Sequence, residues 1–169
     1  MQIKYRNLEL NEAQKFWNMM NLLDNETKFM LYEPGERQEK TKNLVGIETM
    51  IKSSLDGTDF LLVAEQGDVI VGYISVQRGR LRRVLHTAYI VVGIREKFRG
   101  MGIGTEFFNQ LDCWAKDRGI IRLELTVVCT NHAARKLYEK NGFTIEGIKK
   151  NSMMIDGIYT DEYYMAKIL

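Results

Sequence analysis

The sequence predicts a mixed α/β fold, a sheet with helices on its faces, as a single domain over residues 1–169. Three observations lead there. Runs of two-residue and 3.6-residue hydrophobic period alternate along the chain. The length of 169 residues fits one domain of about 100–200 residues. Hydrophobic residues make up 45% and charged residues 27%, which excludes a disordered chain and lets a sizeable core be buried.

Residues 3–8 read as a first short strand. Asn11 opens a helical stretch in which Ala13, Phe16, Trp17, Met20 and Leu23 recur at helical spacing. Residues 24–38 read as polar and irregular, with the single proline, Pro34, followed by Gly35. A second helix is expected over 39–55, carrying Leu44, Ile47, Ile51 and Leu55 on one face and stopped by Asp56-Gly57. Residues 60–65 and 69–77 are β-rich runs around Gln66-Gly67-Asp68, a hairpin signature.

A basic loop follows over 78–83. Residues 86–94 are apolar on both faces, as a central strand requires. After a glycine cluster, a helix is expected over 103–118, with Phe107, Phe108, Leu111, Trp114 and Ala115 as its stripe and Gly119 as its end. Residues 121–127 alternate as a strand. Thr130 or Asn131 caps a further helix that Gly142 ends. Two last strands, 143–155 and 158–168, join at Asp156-Gly157.

The 24 Lys+Arg and 22 Asp+Glu leave a net charge of +2, which argues against a coat for nucleic acid. Arg78, Arg80, Arg82 and Arg83 cluster without interleaved aromatics and read first as a solvated loop. The N-terminus has no apolar signal-peptide core, and no run reaches the roughly 18 apolar residues of a membrane span. Cys113 and Cys129 are too few and too isolated for a disulfide framework or a zinc site. The expectation is a cytoplasmic protein with reduced thiols, no metal and no membrane association.

The stretch Arg99-Gly100-Met101-Gly102-Ile103-Gly104 lies between an apolar strand and a helix. Glycines there let the backbone turn tightly and come close to a ligand. The first N–H groups of a helix lack intrahelical acceptors, and the helix dipole favours anions. The physics points to a phosphate or pyrophosphate, against the plainer reading of a turn with no ligand. The dinucleotide pattern G-x-G-x-x-G fails because Thr105 stands where the third glycine belongs, and the P-loop pattern has no match.

Arg99, Gly102 and Gly104 fit R-x-x-G-x-G, and residues Asn131 to Phe143, N-H-A-A-R-K-L-Y-E-K-N-G-F, fit N-x-x-A-x-x-L-Y-x-K-x-G-F. Together they resemble the GNAT superfamily of acetyl-coenzyme A dependent N-acetyltransferases. The resemblance implies a mostly antiparallel central sheet, splayed in its middle. It implies that Val92 and Ile94 meet the pantetheine arm through backbone groups, and that an N–H near Ile90 or Val91 polarises the thioester carbonyl. Arg99, Gly100, Met101, Gly102, Ile103, Gly104 and Thr105 would hold the pyrophosphate. Glu96 stands where the family often has proline.

By the same resemblance Asn131 steadies the pantetheine region, though it also reads as a helix cap. Tyr138 would be the general acid at the thioester sulfur, against a packing role on the inward stripe of its helix. For the general base, His86 is the one titratable candidate on its strand, with a local strand-end role as the alternative. Glu26, Phe29 and Glu33 in the irregular segment, and Tyr159 on the last hairpin, are candidate acceptor-pocket residues. That hairpin is also a candidate homodimer edge.

The resulting expectation is direct transfer of an acetyl group from acetyl-CoA to a primary amine in a ternary complex. The acceptor is a small molecule or a peptide or protein N-terminus. A non-catalytic acyl-CoA binder that regulates a partner is the alternative.

Overall fold

The structure is a computed structural model that describes residues 2–41 and 43–169. The fold is mixed α/β, with seven strands and five α-helices among the described residues. They run β1 (Ile3–Arg6), α1 (Ala13–Glu26), α2 (Glu36–Lys40), α3 (Val45–Leu55), β2 (Phe60–Gln66), β3 (Val69–Arg78) and β4 (Thr87–Ile94). Then come α4 (Ile103–Asp117), β5 (Arg122–Val128), α5 (His132–Lys140), β6 (Thr144–Ile155) and β7 (Ile158–Ile168). None of the described helices is long and apolar enough to cross a membrane.

The chain divides into two compact units. The first takes residues up to Gln77 together with Val91–Phe107, and the second takes Arg78–Ile90 with Phe108–Leu169. In the first, β1 pairs antiparallel with β2 and β2 antiparallel with β3. The second half of β4 continues that sheet: the Arg95 N–H donates to the Val71 carbonyl at 2.9 Å, and Gly72 lies against the Gly93 carbonyl.

The apolar stripe of α1 packs Phe16, Met20 and Leu23 with Ile47, Ile51, Leu61, Val63 and Tyr73. Phe16 and Tyr73 meet edge to face, with ring centres 5.2 Å apart. Each such large side chain contributes about 1.5–3 kcal/mol on burial.

The first strand ends at Arg6 and α1 starts at Ala13, each two residues from expectation, and two larger differences follow. Helix α1 continues to Glu26, because Asp24 is fully buried on its inner face and paired with Arg37. The single helix expected over 39–55 is two helices. Thr41 closes α2 by donating its backbone N–H and its hydroxyl to the Arg37 carbonyl, while Asn43 Oδ1 accepts the Val45 N–H at the start of α3.

An ionic cluster ties β1 to β2 and to the start of α1. Arg6 holds Glu12 through two bonds of 2.7 Å and Glu65 through two of 2.9 Å, and Lys15 Nζ reaches Glu65 at 2.8 Å. The Arg6 hydrogen bonds are the main reason the Glu12 and Glu65 carboxyls are held down at about 2. Their folded values lie below the ordinary 4.5. The stability they contribute is therefore complete above that value and is lost as pH falls from it towards 2. The urea midpoint should drop between pH 6 and pH 3, and the drop should shrink in Arg6→Met. An equal midpoint at both pH values would refute this.

In the second unit β4 pairs parallel with β5 over only three positions, Thr87 to Tyr89 against Arg122 to Glu124. Strand β5 then pairs antiparallel with β7 along its whole length, and β7 with β6. The alternation expected in β5 is present, with Leu123, Leu125 and Val127 buried. The last hairpin turns at Asp156 and Gly157, both with positive φ. Phe108 meets Tyr138 and Phe143 edge to face at 5.9 and 5.3 Å.

Candidate functional site

In the first unit, β4 runs into the glycine turn. Val91 is 38% exposed, Val92 and Ile94 are half-buried, and Gly93 is buried. A Cβ on Gly93 would stand 2.4 Å from Leu23 and 3.0 Å from Tyr73, so the absence of a side chain lets α1 lie against this strand. After Ile94 a short turn forms: Phe98 N–H donates to the Arg95 carbonyl and Arg99 N–H to the Glu96 carbonyl. Arg99 Nε also donates back to the Ile94 carbonyl at 3.0 Å.

Gly100 and Gly102 then take φ of +75° and +82°, a region that disfavours any Cβ. Nothing lies within 4 Å of where a Cβ would stand on either, so the space beside the turn is open. The Glu106 N–H is the first to return to the turn, donating to the Gly102 carbonyl. The amides of Ile103, Gly104 and Thr105 open α4 and have no intrahelical acceptor by helix geometry. Backbone N–H groups, a helix start and the Arg99 charge suit an anionic diphosphate. Gly104 differs from the other two, being buried within the helix.

Glu26, expected to meet an amine, is otherwise engaged. Its Oε1 accepts from Arg95 Nε at 3.0 Å and Nη2 at 2.6 Å, and its Oε2 accepts the Glu96 N–H at 2.8 Å. Burial pushes this carboxyl up, but Arg95, the Glu96 N–H and the charge of Arg99 together hold it below its ordinary value. The last residue of α1 therefore clamps the entry to the glycine turn. Glu33 is exposed, Phe29 is half-buried, and between them Met30 approaches Gly93.

Asp24 and Arg37 form a buried pair, with Nε to Oδ2 at 2.5 Å and Nη2 to Oδ1 at 3.2 Å. The guanidinium lies 4.4 Å from the centre of the Tyr32 ring. The residue pattern gives no notice of either this pair or Arg95. A buried aspartate sits in a stretch that reads as polar loop, and its partner is 13 positions away.

In the second unit, Asn131 caps α5, its Oδ1 accepting the Ala134 N–H at 3.2 Å. Tyr138 is 7% exposed, its ring packed against Phe108 and Phe143. His86 is exposed at the start of β4, where its carbonyl accepts the Ile121 and Arg122 N–H groups. It stands four residues, roughly 13 Å of strand, from Ile90.

Glu124 is engaged by Arg122 at 2.7 Å. On the same strand Thr126 Oγ1 meets the Tyr89 hydroxyl at 2.9 Å. Tyr159 is 71% exposed near the hairpin tip. Arg78 closes the basic loop by donating to the Leu85 and Arg118 carbonyls, while residues 80–86 are exposed.

The model of the acetyltransferase (GNAT) family matches residues 17–143. The chain is 32% identical over 116 residues to the L-amino acid N-acetyltransferase AaaT of Escherichia coli (strain K12), covering 66% of this chain and 69% of that one. It is similar to the crystal structure of a GNAT-family acetyltransferase from Streptococcus pneumoniae, with a TM-score of 0.91, 25% identity and 99% of each chain covered. A fold likeness extends to yncA of Salmonella typhimurium, solved with its cofactor acetyl-CoA: TM-score 0.84, 18% identity, 100% of this chain and 95% of that one.

Proposed function

Since the chain belongs to the GNAT acetyltransferase family and is an acetyl-CoA-dependent acetyltransferase, we propose that it moves the acetyl group directly to a primary amine in a ternary complex. The observation that carries this reading is the turn after β4, where Gly100 and Gly102 adopt left-handed backbone with open space beside them, ahead of α4. Arg99, the glycine turn and the first amides of α4, through Thr105, bind the pyrophosphate. Backbone groups of Val92 and Ile94 hold the pantetheine arm, and Asn131 steadies it. Acetyl-CoA supplies the acetyl group as an activated thioester.

The acceptor amine gives up a proton to a base or through water, and its nitrogen bonds to the carbonyl carbon. The bond from that carbon to sulfur breaks, and the Tyr138 hydroxyl protonates the departing thiolate. A strand N–H near Ile90 or Val91 stabilises the negative charge developing on the carbonyl oxygen. Holding both reactants together supplies further rate enhancement. The likeness to an L-amino acid N-acetyltransferase favours an α-amino acid among the acceptors.

The test is thiol release from acetyl-CoA with a panel of L-amino acids, N-terminal peptides and polyamines. Release with at least one class, and a mass gain of one acetyl group on that acceptor, supports the reading. Thermal stabilisation by CoA with no release from any class would refute acetyl transfer.

In this reading Glu26 is a positioning residue for the cofactor. Glu26→Ala removes three hydrogen bonds from the start of the turn. It should raise KM for acetyl-CoA roughly tenfold, the scale of charge-assisted hydrogen bonds, with little change in kcat. Glu26→Gln, which keeps an acceptor for the Glu96 N–H, should recover part of the loss. A rise in the acceptor KM alone would contradict this role.

A further inference from the structure

Arg37 has a guanidinium edge that the protein does not use. Its side chain is 9% exposed and Asp24 is fully buried beneath it. Asp24 takes Nε and Nη2, whereas Nη1 has no acceptor among the described residues and is not sealed from solvent. A guanidinium stays charged in proteins, so this N–H pair is a charge-assisted donor open to an acceptor that arrives from solvent.

The pair stands beside the proposed cofactor strand. Leu23, next to Asp24 in α1, and the ring of Tyr73 both abut Gly93 of β4, and Met30 Cε lies 3.6 Å from the position a Gly93 side chain would take. The Tyr73 hydroxyl is pushed up chiefly by burial, with the Arg37 charge lowering it and the Asp24 charge raising it. The next residue on that face of β4 is Val91, 38% exposed, about 7 Å along the strand. Asp24, which holds the guanidinium, thus directly follows a residue that packs on β4 two positions from the exposed Val91.

We infer that Arg37 Nη1 receives an oxygen carried on the carbon next to the acceptor's amine. The substrate class is then the α-amino carbonyl unit, not an alkylamine or polyamine. The inference rests on the acetyl-transfer reading above. Asp24 already neutralises the guanidinium, so the site does not demand a full negative charge. A free carboxylate and an amide carbonyl share the required chemistry, the first from an amino acid and the second from a peptide N-terminus.

The experiment compares matched triplets by thiol release: leucine, leucinamide and 3-methylbutylamine, then lysine, lysinamide and 1,5-diaminopentane. The expected result is a kcat/KM for the decarboxylated amine at least tenfold below the better of the other two, the loss expected when a buried donor goes unpaired. The ordering of acid and amide identifies the source of the oxygen.

Arg37→Lys can keep a charge against Asp24 without presenting Nη1. The double variant Asp24→Asn with Arg37→Gln removes both charges together and so leaves no buried ion alone. Each should shrink the discrimination to about twofold, while CoA still raises Tm, which reports that the chain is folded. Because each ratio compares the same acceptors across variants, their differing amine pKa values cancel.

Equal use of the amine by the unaltered protein would overturn the inference, as would full discrimination in both variants. Either result leaves acetyl transfer standing. No thiol release with any acceptor would instead overturn acetyl transfer, and this inference with it.

Discussion

Tyr138→Phe is expected to lower kcat about a hundredfold or more, within the range that a positioned general acid contributes. The substitution is a clean one. The Tyr138 ring is almost fully buried, edge-on to Phe108 and tilted against Phe143. Phenylalanine keeps that packing and removes only the hydroxyl. Both Tm and KM for acetyl-CoA should therefore stay near their starting values while turnover falls. An acyl donor with a better leaving thiol should lose less rate in the variant, because it needs less help from an acid. Unchanged kcat with acetyl-CoA would reduce Tyr138 to a packing residue.

Asp24→Ala should be the most damaging single change to stability among the charged groups. It strands the Arg37 guanidinium, which is nearly buried under Tyr32. Breaking a buried pair on one side costs about 3–5 kcal/mol, which for a chain of this size lowers Tm by roughly 10 °C or more. Replacing both partners with Asn and Gln should recover much of that loss, because no charge is left without its partner. A thermal melt of the single and double variants decides the matter: a single variant as stable as the double would contradict the account.

These two residues also show what the sequence can and cannot convey. The inward placement of Tyr138 is legible because its neighbours Ala134 and Leu137 fix a helical stripe. The strands were legible for similar reasons. The last hairpin has a two-residue turn at Asp156-Gly157, and β7 spans Ile158–Ile168 as expected.

Asp24 was not legible. A carboxylate on the inner face of a helix contradicts the apolar period, and only tertiary placement of Arg37 makes it tolerable. The same limit hid the split between α2 and α3. The apolar spacing of Leu44, Ile47 and Ile51 continues across it, whereas the break is set by hydrogen bonds of Thr41 and Asn43. Glu26 reads from sequence as a candidate acceptor-pocket residue, and its engagement by a residue 69 positions away leaves no local mark.

The clamp at the end of α1 has an evolutionary corollary. The last turn of that helix contains no basic residue, and a carboxylate there faces the negative end of the helix dipole. Alone, Glu26 would be a poor choice for its own helix. Arg95, from a distant segment, reverses the sign of that local field. The two positions should therefore co-vary among relatives: a lineage that loses the arginine should shed the acid as well, and one that swaps their charges should swap both.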